Sequence, residues 1–214
     1  LDGVPGFIAA VNADLAASPG SRGEAFIFTH GFNTSFAEGL YRQAQLYHDI
    51  GSRSVHVHYA WPSDARVEGY LYDRESVLFS RDGLETTIAA LARTRADRYN
   101  LVAHSMGAML MMDTLRLMAR VGHDEVFERV HAVLLLSPDI EIDVFRRQAQ
   151  PVVARGVPII VVVSSHDRAL LASSLIRGER IRVGSVRSTE ELGVPGVRVI
   201  DISDVRDPGF TDHF

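Results

Sequence analysis

The residues best suited to chemistry in this chain centre on a serine in YNLVAHSMGAML, residues 99–110. An apolar run stops at His104 and Ser105 and resumes at once as a helical pattern rich in small residues and Met. A sharp strand-to-helix turn would do this, lifting Ser105 clear of a sheet and leaving its hydroxyl free to attack. The plainer alternative is an inert serine in a βα connection. A serine hydroxyl is a weak nucleophile and needs a base within hydrogen-bond reach. An imidazole in that role needs a carboxylate on its other nitrogen, and the charge growing on a substrate carbonyl needs preorganised donors. Downstream of Ser105 the chain offers Asp139 in SPDI, Asp167 in SSHD and His213 in TDHF.

The elements that must position these groups follow from periodicity. Short apolar runs rich in β-branched residues fall at 24–29, 54–60, 99–104, 130–137, 158–165 and 197–203. Helical patterns lie between them near 34–50, 74–97, 107–121, 141–155 and 168–176. Strands apolar on both faces, alternating with helices, predict a mostly parallel sheet of about six strands flanked by helices on both faces. Residues 1–23 read as a lead-in with one short helix, 24–214 as a single α/β domain, and 177–196 as a long surface loop. Ligands in such sheets collect at the carboxyl ends of the strands. The polar interruptions fall there: THGFN, WPSD, HSMG, SPDIEID, SSHDRAL and DPGFTDHF, in strand order. Ser, Asp and His thus occur in the order used by serine hydrolases of this architecture.

Composition narrows the partners. With 214 residues, 46% of them hydrophobic, the chain is long enough for one substantial core. A net charge of −5 leaves no electrostatic footprint for nucleic acid. The 22 basic residues are all Arg, and the absence of Cys removes thiol nucleophiles, thiolate metal sites and disulfides. No apolar run approaches the roughly 20 residues needed to span a bilayer. The chain begins at Leu1 and not at Met, which leaves an upstream signal or anchor open; a cytoplasmic location is the reading favoured here.

The chain resembles the α/β-hydrolases, and among them the bacterial family catalogued as DUF900. The residues that carry the resemblance are HGFNTSF (30–36), WPSD (61–64) with Tyr70 and Asp73 downstream, LVAHSMG (101–107), SPDIEIDVF (137–145), SSHDRALLAS (164–173) and the terminal DHF. It runs from about residue 24 to the end. The hydrolase pattern G-x-S-x-G stands here as Ala103-His104-Ser105-Met106-Gly107, with Ala at a position that needs only a small side chain. The resemblance implies a triad with Ser105 as nucleophile, His213 as base just past the last strand, and Asp167 as the acid. Asp139 is the alternative acid, since some lipases take it from the earlier strand; its other reading is as a helix cap. The oxyanion donors implied are the backbone N–H groups of Phe32 and Met106, with His30 bracing the loop.

The implied activity is cleavage of carboxylic esters, esterase or lipase-like, on a small-molecule ester or a lipid, with no metal or organic cofactor. The alternative is a catalytically silent binding or scaffold protein on the same fold. The stretch between the fourth and fifth strands holds about one helix, too little for a large lid domain, so the site is expected to be open. Its pocket is expected to draw on His30, Asn33, Trp61, Tyr70 and His104, with Trp61, Tyr70 and Tyr72 as candidate walls and at least one of these in the core. His56 and His58 read as packed histidines and not as metal ligands, and the five Met residues of the helix after Ser105 read as core. The arginines at 177, 180, 182 and 187 read as a solvated face.

Overall fold

A computed structural model of the chain describes residues 3–18, 20, 23–164 and 181–203. Its sheet has six strands: β1 (Glu24–Thr29), β2 (Val55–Tyr59), β3 (Arg98–His104), β4 (Val130–Leu136), β5 (Ile159–Val163) and β6 (Val197–Asp201). All pair in parallel, in the order β2-β1-β3-β4-β5-β6. The helices are α1 (Gly3–Ala17), α2 (Phe36–Asp49), α3 (Tyr70–Leu91), α4 (Met106–Val121), α5 (Asp124–Phe127) and α6 (Ile142–Val153).

The strand order sets the layers. From β1 the chain steps outward to β2, then returns past β1 to β3 and continues in that direction to β6. Right-handed crossovers therefore put α2 on one face and α3, α4 and α6 on the other. The last three pack side by side, with α4 in the middle, and α1 lies against α3. Ile27, Leu101, Val133, Ile159 and Val161 are fully buried, as even parallel-strand burial demands. Four of the five methionines, Met106, Met111, Met112 and Met118, are also fully buried in α4.

Local signals mark several boundaries. Helix α2 starts with a capping box: the Ser35 hydroxyl accepts from Glu38 N–H and the Glu38 carboxylate accepts from Ser35 N–H. Helix α4 stops at Gly122, which takes φ 93. Between β4 and β5 the chain builds only α5's successor, α6, so no lid domain is inserted there.

The helix expected in the lead-in is present, 15 residues long, and it buries Val11 in the core. Two expectations are corrected. Helix α3 covers Tyr70–Leu91 and not 74–97, because a 3-10 turn at Val67–Gly69 feeds directly into it and Ala92 closes it. The stretch expected as a surface loop up to 196 buries Val183, Val186, Leu192 and Val194, and contains a 3-10 turn (Val183–Ser185) and one helical turn (Thr189–Leu192). These apolar residues follow neither a 2.0 nor a 3.6 period, so no sequence pattern announces them. The expected helix at 168–176 lies outside the described residues.

Candidate active site

Ser105 stands alone between β3 and α4, at φ 50 and ψ −119. A non-glycine residue there is strained, and strain persists only where the surroundings fix it. Here both flanking peptide groups are tied. Ser105 N–H donates to Leu136 O at 2.9 Å, and Ser105 O accepts from Ala108 N–H at 3.0 Å and from Asp139 N–H at 3.2 Å. Strand β4 and the loop after it therefore hold the elbow.

Two glycines let the loop after β1 approach it. A Cβ at Gly107 would lie 2.2 Å from His30 O, and one at Gly31 would lie 2.7 Å from His104 Nδ1 and 3.1 Å from Ser105 Cβ. Ala103, at the first position of the elbow pattern, is fully buried. Met106 is the first residue of α4, so its N–H is one of those a helix leaves without an intrahelical acceptor.

The loop that carries Phe32 is held by a web of polar contacts. Asn33, at φ 50, donates its N–H to Asp73 Oδ2 at 3.3 Å, and Thr34 donates its N–H to Ser63 Oγ at 3.3 Å. Ser63 Oγ in turn donates to Asp73 Oδ2 at 2.6 Å, while Asp64 N–H donates to Asp73 Oδ1 at 2.7 Å. The Asp73 carboxylate, wholly removed from solvent, thus joins the loop after β1 to the loop after β2. His30 is the second brace. Its ring stacks on Trp61 at 5.0 Å and 6° between planes, and the Trp61 indole N–H donates to His30 O at 2.8 Å. Burial holds the His30 pKa below the ordinary imidazole value. The neutral tautomer that fits has Nδ1–H donating to Gly31 O at 2.9 Å and Nε2 accepting from Trp61 N–H at 3.2 Å. Both nitrogens serve the loop, so His30 has none left for a base.

On the other side, Asp139 follows β4. Its Oδ2 accepts from the Tyr70 hydroxyl at 2.9 Å, and its Oδ1 lies 3.5 Å from Arg182 Nε. The Tyr70 ring meets Phe32 edge-on, centroids 5.3 Å apart. Burial, then the neighbouring Asp139 charge, push the Tyr70 phenol up to about 12. Arg182 is brought in by backbone pairing: Val183 N–H donates to Ile140 O at 2.8 Å and Gly184 N–H to Pro138 O at 2.9 Å.

Several expected roles change. Asp139 does not cap a helix; Glu141 caps α6, its carboxylate accepting from Val144 N–H at 3.0 Å, because Asp139 is already turned toward Tyr70 and Arg182. Arg182 does not belong to a solvated face, its side chain being 14% exposed against Asp139, whereas Arg187 is exposed. Of the three candidate walls, Trp61 is core, Tyr70 lies between Phe32 and Asp139, and Tyr72 is exposed. His56 and His58 are packed, as expected, with burial lowering each pKa to about 4. Asp167, His213, Arg177 and Arg180 lie outside the described residues. The sequence assigned no role to Asp73, Ser63 or Arg182, although the quoted resemblance includes the first two positions.

No curated protein matches the chain. Two solved structures match the chain at low identity. A dienelactone hydrolase from Anabaena variabilis ATCC 29413 is 14% identical with a TM-score of 0.46, over 84% of this chain and 74% of its own. LpqC, a poly(3-hydroxybutyrate) depolymerase from Bordetella parapertussis, is 14% identical with a TM-score of 0.48, over 84% and 72%. The model of the α/β-hydrolase family of unknown function DUF900 matches residues 8–214, and with the parallel sheet and the elbow after its third strand in place, the chain belongs to that family.

Proposed function

We propose that the chain is a serine hydrolase acting on carboxylic esters. Ser105 Oγ attacks the ester carbonyl carbon while its proton passes to His213. The N–H groups of Phe32 and Met106 receive the oxyanion, the alcohol leaves with the proton returned by His213, and an acyl-enzyme remains on Ser105. Water activated by the same imidazole then releases the acid. Asp167 orients His213. These steps use side chains and backbone of the chain alone.

The observation that carries this reading is the backbone of Ser105, held at φ 50 at the carboxyl edge of the sheet with Gly31 in contact. Strain of that kind is kept where function needs an exposed side chain. Two further points support it. The loop with Phe32 is fixed by Asp73 and His30. Both oxygens of Asp139 face other partners, which favours Asp167 over Asp139 as the acid.

The test is labelling by a fluorophosphonate probe together with turnover of p-nitrophenyl esters of increasing chain length. Expected are covalent modification at Ser105 and hydrolysis of at least the short esters. A wild-type protein that neither labels nor turns over any ester would instead be the silent binding protein of the same fold.

A further inference from the structure

We infer that Tyr70 is a positioning residue that sets the oxyanion loop against the elbow, with Asp139 and Arg182 as its anchor. The inference rests on the serine-hydrolase reading above. Strands β1 and β4 lie on either side of β3, which carries Ser105. Phe32 follows β1 and Asp139 follows β4, and the Tyr70 side chain touches both, through its ring and through its hydroxyl. One side chain from a third element therefore ties together the two loops that border the nucleophile.

Asp139 makes this tie a ruler. Its backbone N–H is bonded to Ser105 O at 3.2 Å, while its carboxylate accepts from Tyr70. The phenol position is thereby referred to the same residue that carries the nucleophile. Arg182, paired with Asp139 Oδ1, fixes the carboxylate from behind, and the backbone pairing of 183–184 with 138–140 holds Arg182 there. Loss of the tie lets the Phe32 ring and its N–H drift from the place where the oxyanion forms. That donor acts on charge present only in the transition state, so the effect falls on kcat and not on KM.

The experiment measures kcat and KM on a short p-nitrophenyl ester, beside fluorophosphonate labelling, for the wild type and for Tyr70→Phe, Asp139→Ala, Asp139→Asn, Arg182→Gln and Arg182→Lys. Removal of one oxyanion donor costs on the order of 10^2 to 10^3 in kcat, and a displaced donor costs less, about 10-fold. Tyr70→Phe and Asp139→Ala are therefore expected to lower kcat about 10-fold with KM within about twofold. Asp139→Asn keeps an acceptor for the phenol and should lose less than Asp139→Ala; Arg182→Lys should recover part of what Arg182→Gln loses. Tyr70→Phe deletes a single oxygen, and circular dichroism verifies its fold; should it unfold, Asp139→Ala, which also removes the tie, carries the same comparison against Asp139→Asn. A kcat within twofold of wild type for Tyr70→Phe, or a change in KM alone, overturns the inference while labelled wild type leaves the hydrolase reading standing. A loss of about 10^4 in Asp139→Asn also overturns it, by making Asp139 the triad acid. If wild-type Ser105 does not label, the hydrolase reading fails first and takes this inference with it.

Discussion

Two buried carboxylates brace the loops beside the elbow, and they are held by opposite means. Asp73 spends its oxygens on the N–H groups of Asn33 and Asp64 and on the Ser63 hydroxyl, and among the described residues no ion pair joins it. Asp139 spends its oxygens on two long side chains, Tyr70 and Arg182. Backbone donors are fixed by the loops that carry them, so Asp73 is part of the fold's wiring. Side-chain partners can be exchanged together for apolar groups, so Asp139 costs the fold little to lose as a complete set. A buried acid beside a nucleophile is therefore not by itself a triad acid. What it holds decides its work.

The largest effects test whether that separation is right at all. Ser105→Ala should abolish labelling and lower turnover by on the order of 10^6, setting the floor, and His213→Ala should approach it. Asp167→Asn should cost on the order of 10^4, since Asn favours the wrong imidazole tautomer. Steady-state kinetics on one ester would check all three; a near-normal His213→Ala beside a dead His166→Ala, the histidine that precedes Asp167 in SSHD, would dismantle the proposed triad.

A stability measurement sharpens the contrast between the acids. Asp73→Ala strips the acceptor from three donors at once and should lower unfolding free energy by about 3 kcal/mol in urea melts. The triple variant Tyr70→Phe, Asp139→Leu and Arg182→Met, which removes the set together, should stay within about 1 kcal/mol of wild type while kcat falls. Equal destabilisation by the two would erase the distinction.

The smallest effect concerns a third kind of buried polar group. Neither ring nitrogen of His58 has a hydrogen-bond partner among the described residues. Burial, with a lesser contribution from His30, holds its pKa at about 4, below the ordinary 6.5. The unfolded chain thus binds this proton at higher pH than the folded one. The stability so contributed is complete above pH 6.5 and drains away as pH falls towards 4, with His56 adding to the same limb. Thermal melts across that range should show a declining Tm, less steep in His58→Phe; an unchanged slope would mean that His58 does not titrate there.

The sheet was legible because parallel strands buried on both faces must be continuous apolar runs, and the six runs found that way are the six strands. The elbow was legible for a related reason: His104 and Ser105 break such a run at its carboxyl end. Asp73 was not. Its meaning lies in Asn33, 40 positions away, and sequence spacing carries no trace of a hydrogen bond that the sheet order creates. The Tyr70 to Asp139 bond spans 69 positions and was hidden in the same way. Arg182 was misread because three neighbouring arginines made it look like part of a solvated set, whereas its place is fixed by backbone pairing with the loop after β4. Local rules find the turn that bears Ser105; long-range contacts decide what steadies it.

The chain has one tryptophan, and it is Trp61. Its indole lies flat on His30 and donates to that residue's carbonyl, at the root of the loop that carries Phe32. Intrinsic fluorescence excited at the red edge of indole absorption therefore has a single emitter, placed where the loop after β1 is braced and nowhere else. A denaturation curve followed by that emission is a local curve, and one followed by circular dichroism is global. Where the two coincide, the loop melts with the sheet; where emission shifts first, the loop that carries Phe32 loosens while the scaffold still stands, and the protein reports this without any added label.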